Sequence, residues 1–232
     1  MKIPLCVLRP FVVKITTMPT TPTDQPHTDL PLFTSGVDIH EASAAMILLH
    51  GRGATAQEIL FLADLLKLPD FAFLAPQAGG NSWYPYRFTV RVARNEPFLT
   101  SALDMITDII GQVEESGIPL ERIVLGGFSQ GACLVSEYAV RYPARYGGLL
   151  VFSGGLIGPP GTVWGAEGSL DGTPVFVGCS DRDPHIPLER VYETSDVLTR
   201  MGGEVTSKIY PNLAHTVHPD EIDHARKMLS YL

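Results

Sequence analysis

The chain has 232 residues, 45% of them hydrophobic, with 25 Asp and Glu against 17 Lys and Arg and a formal net charge of −8. That length suits a single domain with one sizeable core. The acid excess, with no Lys/Arg cluster to override it, argues against a nucleic-acid surface, and no apolar run approaches the length of a membrane span.

Three cysteines, Cys6, Cys133 and Cys179, are too few and too scattered for a disulfide framework or a zinc site. Cys133 and Cys179 read as small buried apolar residues, and a reducing cytoplasm is the expected compartment. Residues 1–35 carry Pro4, Pro10, Pro19, Pro22, Pro26 and Pro31 around a Thr/Pro-rich middle. This composition resists helix and sheet interior alike, so an extended or disordered lead-in is expected before one domain over residues 36–232. Lys2 is a thin positive flank, and Pro4, Arg9, Pro10 and Lys14 interrupt the apolar stretch, which disfavours a signal peptide. Met18 is an alternative start.

Taken in order, residues 32–39 suggest an edge strand or the start of a hairpin. Residues 45–49 read as a buried strand that ends at His50-Gly51-Arg52-Gly53. Thr55 is placed to cap a helix over 56–68, with Pro69 just past its end. A strand over 71–75 runs into Pro76. Residues 77–97 form an irregular stretch of a length more often functional than idle, and 98–116 form the next helix. Further strands are expected over 123–125, 148–152, 174–178 and 205–210, with helices after residue 131 and over 187–201 and 219–232. Strands that are continuous apolar runs, alternating with helices, mark a mainly parallel sheet covered on both faces.

The most informative stretch is Ile123-Val124-Leu125-Gly126-Gly127-Phe128-Ser129-Gln130-Gly131. A buried strand runs into G-x-S-x-G and then into a helix, the context of a nucleophile elbow. Gly127 and Gly131 would let strand and helix approach closely, and the N–H of Gln130, at the helix start, could donate to a developing oxyanion. Taken alone, a Gly-Ser turn between strand and helix needs no chemistry.

Its partners stand past later strand ends, where open α/β sheets collect reactive groups. Asp181 and Asp183 follow residues 174–178; His215 and His218 follow residues 205–210. Serine, acid, histidine is the chain order of an α/β-hydrolase triad. Serine needs a base, neutral imidazole can supply one, and a carboxylate can fix the imidazole tautomer. His215 comes soon after its strand, whereas His218 precedes the helix-starting Pro219 and reads as a solvated or capping residue. Either aspartate suits the acid. His185 is read as lining the site wall. Arg52, in the glycine-rich loop after residues 45–49, is expected to give a second backbone oxyanion donor. No histidine spacing resembles a metal motif.

With these pieces in place, the chain resembles the phospholipase/carboxylesterase family of serine hydrolases, the group that includes acyl-protein thioesterases. The likeness runs from about Phe33 to the carboxyl terminus. It rests on Leu48-Leu49-His50-Gly51-Arg52-Gly53, Ala75-Pro76-Gln77 with Ser82-Trp83-Tyr84, Gly126 to Gly131, Asp183-Pro184-His185-Ile186-Pro187, and His215 before the last helix. In that family the aspartate of the Asp-Pro piece is the triad acid, which selects Asp183. The resemblance implies an α/β-hydrolase fold with no large cap domain and no cofactor, cleaving carboxylic esters or thioesters. Relatives often carry glycines just before the histidine, where this chain has Asn212-Leu213-Ala214.

The expected activity is a carboxylesterase acting on short-to-medium acyl esters, with Trp83 and Tyr84 lining the acyl pocket beside His185. Thioester cleavage, protein deacylation and lysophospholipid hydrolysis are the close alternatives. A non-catalytic binding module on the same fold is the alternative of a different class. The expected partner is a small-molecule ester or thioester; a homodimer is left open.

Overall fold

The computed structural model describes residues 25–165 and 167–232. Cys6, Met18 and most of the Pro/Thr-rich lead-in lie outside the described residues.

Seven strands form one sheet in the order β1-β3-β2-β4-β5-β6-β7. They are β1 (Leu32–Gly36), β2 (Ala44–Leu49), β3 (Phe71–Pro76), β4 (Ile123–Phe128), β5 (Gly148–Phe152), β6 (Pro174–Ser180) and β7 (Glu204–Tyr210). β1 pairs antiparallel with β3, and every other pairing is parallel. The helices are α1 (Ala56–Ile59), α2 (Phe61–Leu66), α3 (Phe98–Glu115), α4 (Gln130–Arg141), α5 (Leu188–Arg200) and α6 (Pro219–Met228). This is the α/β-hydrolase fold, with the mainly parallel sheet that the apolar runs announce.

The period-2 geometry of a strand sends successive side chains to opposite faces, so a strand covered on both faces must be apolar throughout. β2 shows the consequence. Ala45, Ile47 and Leu49 join one core with α3, α4 and α5, whereas Ala44, Met46 and Leu48 join the other with α1, α2 and α6. β7 is the exposed edge, and its side chains are mostly exposed or half-buried. Among the described residues no helix is long and apolar enough to cross a membrane.

Several expectations meet a difference. The single helix over 56–68 is two short helices: α1 ends at Ile59 with Leu60 as its C-cap, and Lys67 closes α2 with φ 52°. Thr55 does cap α1, through a capping box in which its hydroxyl accepts the Glu58 N–H and the Glu58 carboxylate accepts the Thr55 N–H. β6 reaches two residues beyond the expected end, so Cys179 and Ser180 belong to the sheet. The packed structure also begins ahead of residue 36. β1 occupies Leu32–Gly36, and His27 is 1% exposed, accepting the Gly79 N–H at Nδ1 and donating from Nε2 to the Trp83 carbonyl. A histidine that satisfies both ring nitrogens in this way is neutral, and burial lowers its pKa in the same direction.

Candidate active site

Ser129 sits between β4 and α4 with φ 56° and ψ −116°, a backbone conformation that costs a non-glycine residue about 1–3 kcal/mol. The surroundings enforce it. The Ser129 N–H donates to the Phe152 carbonyl at 2.9 Å, and the Ser129 carbonyl accepts the Cys133 N–H at 3.0 Å. A Cβ on Gly131 would lie 2.0 Å from the Leu49 carbonyl oxygen, and one on Gly127 would lie 2.5 Å from the Gly131 carbonyl carbon. Both glycines are therefore required for the helix to begin where it does.

Three side chains that are far apart in sequence meet above the sheet. The Ser129 hydroxyl lies 2.8 Å from His215 Nε2, and His215 Nδ1 lies 2.6 Å from Asp183 Oδ2. The Asp183 side chain is fully buried. Its Oδ1 accepts the His185 and Ile186 N–H groups at 2.8 and 3.0 Å. Burial pushes this carboxyl up, but the His215 hydrogen bond and the two backbone donors outweigh it and hold the pKa below the usual value. With Asp183 ionised, Nδ1 carries the proton and Nε2 is free to accept one from the serine. The His215 ring packs on Phe128 at 4.8 Å and edge-on to His185 at 4.8 Å.

The rival residues do other work. Asp181 Oδ1 accepts the Asn212 N–H at 2.7 Å, tying the loop after β6 to the loop after β7. His218 is the N-cap of α6, accepting the Asp220 N–H, and it stacks on Tyr210. Asn212 takes φ 55°, the left-handed region that glycine favours and asparagine tolerates. That region lets the histidine loop turn without a glycine at this position.

The glycine-rich loop after β2 reaches Ser129: a Cβ on Gly51 would lie 3.4 Å from Ser129 Cβ. Among the described residues neither the Arg52 nor the Gln130 backbone N–H has a hydrogen-bond acceptor. The Gln130 side chain is a clasp. Its carbonyl accepts the Trp83 N–H at 3.0 Å, and its amide donates to the Tyr84 carbonyl at 2.8 Å. Trp83 Nε1 donates to the His50 carbonyl at 2.8 Å, and His50 Nε2 accepts the Ala78 N–H. The Arg52 guanidinium donates to Ser82 Oγ and to the Pro85 and Tyr86 carbonyls at 2.7–3.0 Å. These two side chains hold residues 82–86 against the elbow, a role that motif reading did not assign to either.

A cleft of about 690 Å³ opens at Ser129. Tyr84 and His185 line it, together with Tyr86, Arg87, Phe88 and Ile186. Trp83 does not. It is 0% exposed behind the wall, turned inward by the hydrogen bonds of its indole and backbone N–H. Among the described residues no group of three or more His, Cys, Asp or Glu is arranged to hold a metal ion.

Such a fold, with a serine at the strand–helix turn above the sheet, is that of α/β-hydrolases. The family model described as Phospholipase/Carboxylesterase matches residues 37–232, and the chain belongs to that family of hydrolases, which embraces esterases and acyl-protein thioesterases. A solved phospholipase/carboxylesterase from Dyadobacter fermentans is 42% identical, with a TM-score of 0.83 over 87% of this chain and 96% of that one. Acyl-protein thioesterase 1 of Saccharomyces cerevisiae is 29% identical over 80% of this chain and 91% of its own. A probable carboxylesterase of Oryza sativa is 27% identical over 78% of this chain and 85% of its own.

Proposed function

We propose that this protein is a serine esterase that hydrolyses short-to-medium acyl carboxylic esters through an acyl-enzyme on Ser129. The observation that carries the reading is the unbroken relay from Ser129 Oγ through His215 to Asp183, at 2.8 and 2.6 Å. His215 Nε2 removes the hydroxyl proton as the oxygen attacks the ester carbonyl. The Arg52 and Gln130 N–H groups receive the oxyanion, and buried Asp183 steadies the imidazolium. The tetrahedral adduct collapses, and Nε2 hands its proton to the departing alcohol. A water then enters, loses its proton to Nε2 and releases the acid, restoring the serine. The pre-set, strained serine needs no rearrangement before attack. A cleft of about 690 Å³, walled by aromatic, aliphatic and polar groups, falls in the range of small-ligand sites, about 300–1,000 Å³.

Thioester cleavage is the second reading, favoured by the name of the yeast relative, acyl-protein thioesterase 1. Matched ester and thioester pairs with the same acyl group separate the two by kcat/KM. For the reaction itself, Ser129→Ala is assayed on a panel of p-nitrophenyl esters. The expected result is loss of turnover with the fold intact by circular dichroism; undiminished hydrolysis removes Ser129 from the mechanism.

A further inference from the structure

Resting on that esterase reading, we infer that the preferred ester carries an oxyanion group, a carboxylate or a phosphate, and that Arg87 selects it. Three residues of the cleft wall carry formal charge: Arg52, Arg87 and Asp183. The Asp183 carboxylate is fully buried and bonded to His215, so the wall presents no carboxylate to a bound molecule. The Arg52 charge is met by neutral acceptors alone, the Ser82 hydroxyl and the Pro85 and Tyr86 carbonyls. Arg87 is exposed, and among the described residues its guanidinium has no hydrogen bond or ion pair. Arg94 lies over the Tyr86 ring, 4.4 Å from its centroid, and Tyr86 itself lines the cleft. Its guanidinium likewise lacks a carboxylate partner among the described residues. Thus a chain of net charge −8 gathers three guanidinium groups around one cleft whose lone lining acid, Asp183, is buried and engaged by His215.

The segment that carries Arg87 is fixed rather than loose. Asn95 is 0% exposed; its side chain accepts the Tyr86 N–H at 2.9 Å and donates to the Arg87 carbonyl at 3.4 Å. The next carbonyl, that of Phe88, accepts the Gly158 N–H at 2.8 Å. Buried polar ties on both sides of one exposed arginine hold its backbone in register with the cleft. A guanidinium fork matches a carboxylate or phosphate edge-on, and a concave wall with one sign of charge focuses its field on the bound molecule. Because Ser129 and Arg87 line the same cleft, one small ester reaches both.

The test uses the full chain and two matched pairs of substrates. In the acyl arm, 4-nitrophenyl hemiglutarate is compared with its neutral methyl-ester counterpart. In the leaving-group arm, butyryl 3-hydroxybenzoate is compared with its methyl ester. In one arm or both, kcat/KM for the anion is expected to exceed that for the neutral partner by about tenfold at low salt, and the ratio shrinks in about 0.5 M NaCl. Arg87→Gln brings the ratio within about twofold of unity, and Arg87→Glu inverts it. Equal or better cleavage of the neutral partner in both arms overturns the inference while leaving the esterase reading intact, provided neutral turnover still needs Ser129. A preference that survives Arg87→Gln overturns the assignment to Arg87. No turnover of any ester overturns both readings.

Discussion

Glu221 lies on the first turn of α6, where an acidic residue ordinarily sits in water and favours the helix dipole. Here it is 0% exposed. Its Oε2 accepts the His218 N–H at 2.6 Å, and Oε1 has no partner among the described residues. It lies so close to β6 that a Cβ on Gly178 would come within 1.9 Å of Oε1. Burial, against the single backbone donor and with Asp220 adding to it, lifts the pKa from 4.5 to about 7. Between those values the native state holds a proton that the unfolded chain has lost, so stability falls as pH rises from 4.5 to 7. Above pH 7 the full cost is present, about 3 kcal/mol at about 1.4 kcal/mol per pH unit. Glu221→Gln keeps the acceptor for His218 and removes the charge. Urea unfolding of both proteins at pH 5 and pH 8 isolates this group, because other titrations cancel in the difference. The variant is expected to gain about 1–3 kcal/mol relative to wild type on going from pH 5 to pH 8, or about 2–4 °C of Tm per kcal/mol. A difference that does not change with pH refutes the reasoning.

Four further outcomes follow from the geometry. Gly131→Ala, whose Cβ would meet the Leu49 carbonyl at 2.0 Å, is expected to cost about 3 kcal/mol or to leave the protein insoluble, read by thermal melting. Arg52→Lys keeps the charge but cannot serve three acceptors at once. It is expected to lower kcat/KM about ten- to a hundredfold by loosening residues 82–86, with little loss of global stability. Asp183→Asn, which favours the wrong imidazole tautomer, is expected to lower kcat about ten-thousandfold with substrate binding retained. Cys133 and Cys179 are both 1% exposed, and burial pushes each thiol up to about 12. In a Cys6→Ala background a disulfide reagent should therefore find no fast thiol until the protein unfolds.

What the amino-acid sequence revealed, and what it hid, divides along physical lines. The strands were legible because burial on both faces leaves an uninterrupted apolar run, as in β2 and β3. The elbow was legible because two glycines have no substitute where α4 meets β2 and β4. The cap at Thr55 was legible, and for His218 before Pro219 a cap was one of two readings; the reciprocal part of Glu58 was not. Side-chain direction was not. Trp83 and Tyr84 are neighbours in one aromatic loop and both are buried, yet the first is held by Gln130 and His50 away from the cleft and only the second touches its wall. Nothing in their order distinguishes them, because the distinction lies in partners 47 and 33 residues away. The two roles of Arg52 and of Gln130 were hidden for the same reason: motif reasoning addresses the backbone N–H, while the side chain answers to a distant loop. His27 was missed because the proline-rich composition around it signals what the segment cannot form, and says nothing of what one side chain can fill. The burial of Glu221 was hidden behind a sequence position that usually marks a solvated acid.

The most direct measurement is the site of covalent capture by a fluorophosphonate, mapped by mass spectrometry of proteolytic fragments. The adduct is expected on Ser129 of the folded protein, with capture abolished in Ser129→Ala and slowed by orders of magnitude in His215→Ala. An adduct on another residue, or brisk ester hydrolysis by a protein that the probe leaves unmodified, contradicts the account.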